Sequence, residues 1–487
     1  MNAIKIGNNR EVFWDDYLVN TSLTGAYLRQ HHPRIEENVI TLDHPWEGDG
    51  CIYFSCIYHD GLYRMYYLGL EVFEADMSAY KKECPVSLCC IESEDGIHWT
   101  HPELDIHSFG DVERTNILLT REDAQRVGLT HFDNFHVFID EKPDCLPNER
   151  IKATCSGYAL SNNEPVLFCW TSVDGYHFIP KGIMTTVGKF DTQNIAFWSA
   201  AHEKYFCFVR DCHNVIDPDD LNLAIRDIRY MTSPDFMTWT EPQMVDFGSA
   251  DDIPLYTNAV SLYARAPQMM MGMPSRYVER FEWTGNYDQL TGAEARKQRM
   301  RVSRREGLVV TDCVLMTSRD GVHWNRWDEA WMTPGIERDH TWVYGDCYPS
   351  PSVLQTKSAL PGAPDELSFY VFERHISQHP TTLRRYTCRL DGLISYRADY
   401  APQRLVTKPI LYEGGQLSLN FSTSARGYIY VTARCGKETI ESCELFGDTL
   451  DRIVPFSEDL NKFACKEITL EFIMSDADLY SMQFQKS

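Results

Sequence analysis

Carboxylate side chains recur just before several strand-like segments of this sequence, where they could supply both a proton donor and a base to one reaction. They are Glu47, Asp49, Asp133, Asp191 and Asp346. General acid–base chemistry needs such pairs, because one group must arrive protonated and the other ionised. These residues are spread over most of the chain, so they can act together only if the fold brings them to one place.

A repeated heptapeptide predicts such a fold. Ser-Glu-Asp-Gly-Ile-His-Trp occupies 93–99, and segments with the same spacing occupy 172–178 and 318–324. Two weaker copies keep the aspartate at the same position of the heptapeptide. The copy at 233–239 lacks the glycine, and the copy at 389–395 lacks the serine and the aromatic residue. Asp-Gly supplies the positive φ angles of a tight turn, and the aromatic residue anchors the next strand. The aspartates, at 95, 174, 235, 320 and 391, lie 79, 61, 85 and 71 residues apart, a recurrence typical of a structural repeat.

The repeat predicts an all-β fold. Strand-like runs precede the copies, for example at 86–91, 166–170 and 308–316. Five units of a few antiparallel strands each predict a five-bladed β-propeller over residues 41–400. Residues 1–40 are expected to form an N-terminal segment, 281–305 a lid or a helix, and 401–487 a C-terminal β-sandwich that packs on the propeller.

In a propeller the innermost strands surround a central channel, so polar residues at their starts are expected to converge there. Several carboxylates in one funnel suit glycoside hydrolysis, which needs an acid for the leaving oxygen and a base or nucleophile. Arginines that follow inner or second strands could bind a substrate hydroxyl or carboxylate. The alternative is that these charges form ion pairs at strand ends. The predicted substrate-binding residues are Trp46, Asp133, His136, Gln193, Asn194, Arg210, Asn258, Arg276, Glu279, Asp346, Tyr348 and Arg374.

The Asp-Gly-x-x-Trp hairpins, the Tyr-Arg-Met-Tyr-Tyr strand at 63–67 and the carboxylates at the blade starts resemble five-bladed propeller glycosidases. This broad group includes invertases and fructanases, arabinanases and β-xylosidases, and mannoside phosphorylases. The resemblance covers about residues 40–400, and the tail is similar to the β-sandwich of the invertase group. It implies Asp49, or its rival Glu47, as base or nucleophile, Asp191 as modulator or transition-state stabiliser, and a later glutamate, Glu373 or Glu279, as acid.

The sequence also departs from the invertase pattern. The segment Trp-Met-Asn-Asp-Pro-Asn-Gly is absent, and Asp211 is followed by cysteine where that family has proline. No Glu-Cys pair lies at the expected place, so the acid is the least specified role.

Composition excludes several classes of partner. The formal net charge of -24 argues against nucleic acid or an anionic membrane surface, which need clustered Lys and Arg. No apolar run of signal-peptide or membrane-span length occurs, so the protein is predicted to be cytoplasmic, in a bacterium, with its 16 cysteines reduced. No cofactor is expected; a structural calcium ion would suit acidic inner strands, although no loop has calcium-site spacing. A homo-oligomer is compatible with the sequence.

The predicted function is therefore an exo-acting glycosidase on a short oligosaccharide, furanoside or pyranoside. Two enzymatic alternatives remain open, a glycan phosphorylase and a sialidase-like hydrolase of an anionic sugar. Both would use Arg210, Arg276 and Arg374 for an anion. The non-enzymatic alternative is a propeller binding module, which predicts an apolar or uncharged channel mouth.

Overall fold

A computed structural model describes residues 3–74, 78–81, 86–216 and 224–486. Five four-stranded antiparallel sheets form the blades of a propeller, which confirms the predicted all-β class and the five-bladed arrangement. The innermost strands of blades 1 and 2, 2 and 3, and 3 and 4 contact one another around the channel.

The first three blades each follow the chain from the channel outward. Blade 1 consists of Ile52–His59, Leu62–Leu70, Val86–Ser93 and Ile117–Thr120. Blade 2 consists of Leu129–Ile139, Ile151–Ala159, Pro165–Ser172 and Phe178–Thr185. Blade 3 consists of Ile195–Ser199, Lys204–His213, Ile225–Ser233 and Gln243–Met244.

The last two blades depart from this simple order. Blade 4 consists of Ser261–Leu262, Met270–Gly272, Met316–Ser318 and Asn325–Arg326, and the hairpin of Ser275–Glu279 with Val309–Cys313 follows its second strand. Blade 5 consists of Leu354–Thr356, Glu366–Glu373 and Thr381–Arg389, and its outer strand is Arg34–Leu42 from the N-terminal part of the chain. The predicted boundary at residue 41 therefore falls inside a strand that closes the propeller ring.

The remaining strands form one ten-stranded sheet. Its longest pair is Gln416–Cys435 with Glu467–Gln485, antiparallel, with a register shift between Thr423 and Tyr428. Strands from the N-terminal part of the chain belong to the same sheet, so the sheet includes residues outside the predicted domain 401–487. The other members are Ile4–Lys5, Glu11–Val12, Tyr27–Gln30, Ile394–Ala398, Gln403–Val406, Ile410–Leu411, Glu438–Glu441 and Asp448–Ile453.

Within the described ranges helices are few and short. The α-helices are Arg121–Arg126, Ala293–Val302 and Arg305–Leu308, and the 3-10 turns include Thr21–Leu23, Pro147–Glu149 and Leu460–Phe463. The predicted insertion 281–305 is thus helical over Ala293–Val302. Two buried arginines anchor that helix, since Arg296 donates to the carbonyl of Thr341 (3.3 Å) and Arg299 to the carbonyl of Ile376 (3.3 Å).

The repeated heptapeptide fastens each blade to the preceding one. In blade 2, Ser172 Oγ accepts from the Gly175 amide (2.9 Å) and Asp174 accepts from the next two amides. Arg64 and Tyr66 of blade 1 donate to the carbonyls of Asp174 (2.7 Å) and Gly175 (2.9 Å). Local turn chemistry thereby also fixes the contact between neighbouring sheets.

Replacing Gly175 by alanine is expected to weaken this contact between blades 1 and 2. A Cβ there would lie 2.5 Å from Arg64 Nη1 and 2.6 Å from Tyr66 Oη, at a φ of +78°. We expect Gly175→Ala to cost about 1–3 kcal/mol more than Gly61→Ala, because overpacking adds to backbone strain. Gly61 is the matched control, with a φ of +80° and nothing within 4 Å of its added Cβ. Equal urea midpoints for the two variants would contradict the fastening role.

Candidate functional site

A cavity of about 420 Å³ opens at the propeller channel and is lined by residues from all five blades or their connections. Part of its wall is aromatic, formed by Tyr53, Tyr256, Tyr344 and Tyr348. The charged residues of the wall are Lys81, Arg121, Asp133, Asp191, Arg305 and Glu306. Of the residues predicted from the sequence, Asp133, Asp191 and Tyr348 line this cavity.

Asp133 reaches the cavity because its strand is irregular at that point. Asn134 adopts a left-handed φ of 55°, and the pairing with the second strand of blade 2 shifts register between Thr154 and Ser156. The Asp133 carboxylate accepts one hydrogen bond, from the Asn134 amide (2.7 Å). Burial, and then the negative charge of Asp191, raise the pKa of Asp133 to about 7. A large fraction of this carboxyl therefore keeps its proton at neutral pH.

Asp191 differs in its surroundings. Its side chain is 67% exposed and forms an ion pair with Arg210 (Oδ2 to Nη2, 3.0 Å). Arg210 itself is buried, donates to the Lys189 carbonyl (3.2 Å) and lies over the Tyr256 ring at 5.1 Å. A buried guanidinium thus holds an accessible carboxylate in one orientation at the cavity wall.

The insertion contributes two residues that the sequence did not single out. Arg305 and Glu306 begin the helix Arg305–Leu308, and both line the cavity. Glu306 is 2% exposed and accepts from the hydroxyl of Tyr80 (3.1 Å). Arg305 lies over the Tyr344 ring at 5.7 Å. The available signal was the polar insertion 281–305, whose composition predicted a lid or a helix but not which residues reach the channel, and Glu306 lies directly after it.

Glu47 does not reach the cavity. It is fully buried in blade 1, where Tyr67, His101 and the His44 amide donate to it. Burial raises the pKa of Glu47, but the donors, first of all His101, more than offset this and hold it below its ordinary value. The structure therefore gives this predicted catalytic residue a role in holding the start of blade 1. Trp46 is buried beside it and donates to Asn116 (2.6 Å).

Asp49 lies in a separate cleft, with His44, Glu71 and His379 among its lining residues. Its Oδ2 accepts from the Gln378 amide (2.8 Å), and its carbonyl accepts from the Ile376 amide (2.9 Å). Burial raises the pKa of Asp49. The structure thus places the predicted base next to the 376–378 loop and outside the cavity that holds Asp133 and Asp191.

Four other predicted binding residues are buried between inner strands. The amides of Gln193, Asn194 and Asn258 donate to backbone carbonyls, among them those of Tyr53 and Phe208. His136 stacks on Phe138 (5.8 Å between ring centroids), and burial lowers its pKa to about 3. The three amides satisfy backbone atoms around the channel, which is why amide residues recur at these positions.

The remaining predicted residues belong to the hairpin after the second strand of blade 4, to the connection before blade 5 or to the end of that blade's second strand. Arg276 forms a bidentate pair with Asp312 (2.9 and 2.6 Å), and Glu373 accepts from Arg338 (2.6 Å). Asp346 is buried, and burial followed by the charge of Glu373 raises its pKa to about 7. Glu279 ends the strand Ser275–Glu279, and Arg374 follows Glu366–Glu373 with a φ of 67°. None of these five residues lines the cavity.

No group of three or more His, Cys, Asp or Glu side chains in the described ranges is placed to hold a metal ion. None of the helices there combines the length and apolar character that a bilayer crossing requires.

No family model and no curated protein matches this sequence. Among solved structures, the chain is similar to an N-acetylgalactosamine deacetylase from F. plautii in complex with blood group B trisaccharide (11% identity, 74% of this chain and 94% of that chain, TM-score 0.43). A structure from the GH130 family, whose mannoside phosphorylases include glycoside hydrolases that target β-1,2 mannosidic linkages in Candida mannan, is 11% identical (73% and 94%, 0.45). An exo-β-1,3-galactanase from Phanerochaete chrysosporium is 9% identical (94% and 100%, 0.38). The chain's structural neighbours thus include glycoside hydrolases, a likeness that concerns the fold alone.

Proposed function

We propose that this protein is a glycoside hydrolase that cleaves its substrate in the channel cavity, with Asp133 as the general acid. The main evidence for this proposal is that two carboxyl groups of the same cavity wall, Asp133 and Asp191, have different surroundings. Burial raises the pKa of Asp133 to about 7, whereas Asp191 is exposed and paired with Arg210. Two carboxyls whose environments differ in this way suit the acid and base roles of one reaction.

The proposed mechanism follows from these positions. Asp133 donates its proton to the glycosidic oxygen as the bond to the anomeric carbon breaks. Asp191 acts on the anomeric carbon, directly as a nucleophile or through an activated water molecule, while Arg210 keeps it oriented. Tyr256, Tyr344 and Tyr348 offer aromatic surface for the sugar rings.

The size of the cavity supports a short substrate. Ligand pockets span about 300–1,000 Å³, and the 420 Å³ found here lies toward the lower end of that range. We therefore propose exo action on a short oligosaccharide. Every cysteine in the described ranges is a free thiol, which supports the proposed cytoplasmic location.

The alternatives differ in what they require of the cavity wall. A binding module predicts an apolar or uncharged mouth, and the charged wall argues against it. A glycan phosphorylase stays a second candidate, because Lys81, Arg121 and Arg305 are cations in the same wall. Dependence of turnover on phosphate separates it from a hydrolase.

The test is release of 4-nitrophenol from a panel of aryl furanosides, pyranosides and uronides, with and without phosphate. We expect wild-type turnover without phosphate and a loss of about 10²–10⁴-fold in Asp191→Asn. Asp49→Asn is the matched control, since it removes a carboxyl from the neighbouring cleft, and it should stay within about threefold of wild type. Equal rates for Asp191→Asn and wild type would reject the site.

A further inference from the structure

The cavity wall differs in charge from the protein as a whole. The chain has a formal net charge of -24, yet Lys81, Arg121 and Arg305 all line the cavity. The side chains of Lys81 and Arg305 retain 23% and 32% of their exposure. Because a cleft with low-dielectric walls focuses the field of its charges, these cations act strongly on a ligand inside it.

The carboxyl groups of the same wall offer little opposing charge. Asp191 is neutralised by its ion pair with Arg210. Asp133 keeps much of its proton at neutral pH, since its pKa is raised to about 7. Glu306 has only 3% of its side chain exposed, beside Arg305 (3.6 Å). Apart from Asp191, which the buried Arg210 balances, the accessible charge of the cavity is therefore mainly positive.

Arg121 is the cation of this wall whose own charge is least compensated. Lys81 is paired with Glu71, and Arg305 lies beside Glu306. Arg121 has no ion pair within the described residues, and its Nε has no hydrogen-bond partner there. Its charge also contributes, after burial, to the lowered pKa of His131, which lines the same cavity. A guanidinium with free donors suits a carboxylate or another planar oxyanion, which it can bind through two parallel hydrogen bonds.

Resting on the proposed function, we propose that the substrate sugar carries an anionic group, which Arg121 and Arg305 bind in the cavity. The chemistry fits the carboxylate of a uronic acid residue and equally a sulfate or phosphate ester on the sugar. Arg121 then acts as a specificity-determining residue that selects charged over neutral glycans.

Isothermal titration calorimetry at neutral pH tests this directly. The ligands are glucuronate and galacturonate, the methyl ester of each, glucose, glucose 6-sulfate, glucose 6-phosphate and inorganic phosphate. The proteins are wild type, Arg121→Gln, Arg305→Gln and the control Arg126→Gln. Arg126 belongs to the same helix, but its side chain is 72% exposed and paired with Asp123.

At least one charged sugar should bind wild type about tenfold or more tightly than its uncharged partner, the methyl ester or glucose, and this preference should weaken as salt rises. Arg121→Gln should lose about 10- to 100-fold in affinity for that sugar and keep its affinity for the uncharged partner. Arg126→Gln should behave as wild type. Which of the uronates, the sulfate ester and the phosphate ester binds most tightly shows whether the anionic group is a carboxylate, a sulfate or a phosphate.

Equal binding of charged and uncharged sugars, or failure of every charged sugar to bind, would overturn the proposal. It would equally be overturned if inorganic phosphate were the one anion bound, because the anion would then be a co-substrate. The comparison of charged with uncharged sugars uses the wild-type protein, so it tests the proposal even if a variant folds poorly. Binding of a charged sugar without turnover of any glycoside would support the anion-binding site and contradict the proposed hydrolase activity. Turnover of neutral glycosides without such binding would support the hydrolase activity and contradict the anion-binding site.

Discussion

Replacing Asp133 by asparagine is expected to lower kcat/KM by about 10²–10⁴-fold with little change in folding. The amide has nearly the same shape and can still accept from the Asn134 amide, which lies 2.7 Å from the native carboxylate. It cannot transfer a proton to the leaving oxygen. Steady-state kinetics on the best substrate of the aryl glycoside panel, with circular dichroism as the folding check, would measure the loss.

The control for this prediction compares glycosides with good and poor leaving groups. A dinitrophenyl glycoside needs little protonation of its leaving oxygen, so Asp133→Asn should lose much less activity on it than on a nitrophenyl or natural glycoside. Equal losses on good and poor leaving groups would show that Asp133 is not the acid.

The pH profile gives a second check on the same residue. A general acid must be protonated, and the pKa of Asp133 is raised to about 7, so the wild-type rate should fall as the pH rises through that value. The charge of Asp191 contributes to this raised pKa. In Asp191→Asn the residual activity should therefore begin to fall at a lower pH. A wild-type profile that stays flat to about pH 9 would contradict the assignment.

Replacing Asp391 by alanine is expected to cost about 3–5 kcal/mol of stability, because it removes the buried carboxylate that Arg10 and Arg265 share and leaves them only the exposed Asp451. Asp391 belongs to the fifth heptapeptide copy and is fully buried where blade 5 meets blade 4 and the ten-stranded sheet. Five side chains donate to its carboxylate: Arg10 (3.0 Å), Tyr263 (2.6 Å), Arg265 (2.8 Å), Asn420 (3.1 Å) and Ser481 (2.6 Å). Urea denaturation at neutral pH would measure the effect.

The blade 4 copy provides the matched control for this substitution. Asp320 occupies the same position of its heptapeptide, but its side chain is 49% exposed and bonds within its own turn. Asp320→Ala should cost only about 1 kcal/mol. Equal costs for the two variants would contradict the role assigned to Asp391.

The pH dependence of the Asp391 effect has a defined sign. Burial would raise the pKa of Asp391, but Arg265 and Arg10 hold it below its ordinary value. A lowered pKa in the folded state contributes stability that is present above the unfolded-state pKa of about 3.9 and is lost as the pH falls toward the folded value. The difference between wild type and Asp391→Ala should therefore shrink in acid.

The heptapeptide shows why the fold was predictable. Each copy carries its turn within seven consecutive residues, so its hydrogen bonds depend mainly on local chemistry. The copy at 233–239 keeps the same turn even without glycine, with Phe236 at a φ of 71° and its ring 5.7 Å from Phe138 of blade 2. Five such turns at blade-length spacing indicated five blades. The closing strand Arg34–Leu42 was not foreseen, because its pairing with Thr381–Arg389 joins residues far apart in the chain.

The candidate site shows the limit of the same reasoning. Glu47 and Asp133 are both carboxylates near the start of a blade, and the sequence predicted Glu47 as a catalytic candidate and Asp133 as a substrate-binding residue. In the folded chain, donors from other strands surround Glu47, whereas a backbone irregularity brings Asp133 to the cavity. Glu306 reaches that cavity from an insertion more than 100 residues further along the chain than Asp191.

The sequence by itself determined the all-β class, the number of blades and the presence of carboxylates near the channel, because these follow from short-range turn chemistry and repeat spacing. Only the tertiary structure decided which carboxylates share a cavity, which are buried as structural acceptors and which cations lie beside them. Those outcomes depend on burial and on charges contributed by distant strands, and these set the protonation of a carboxyl such as Asp133.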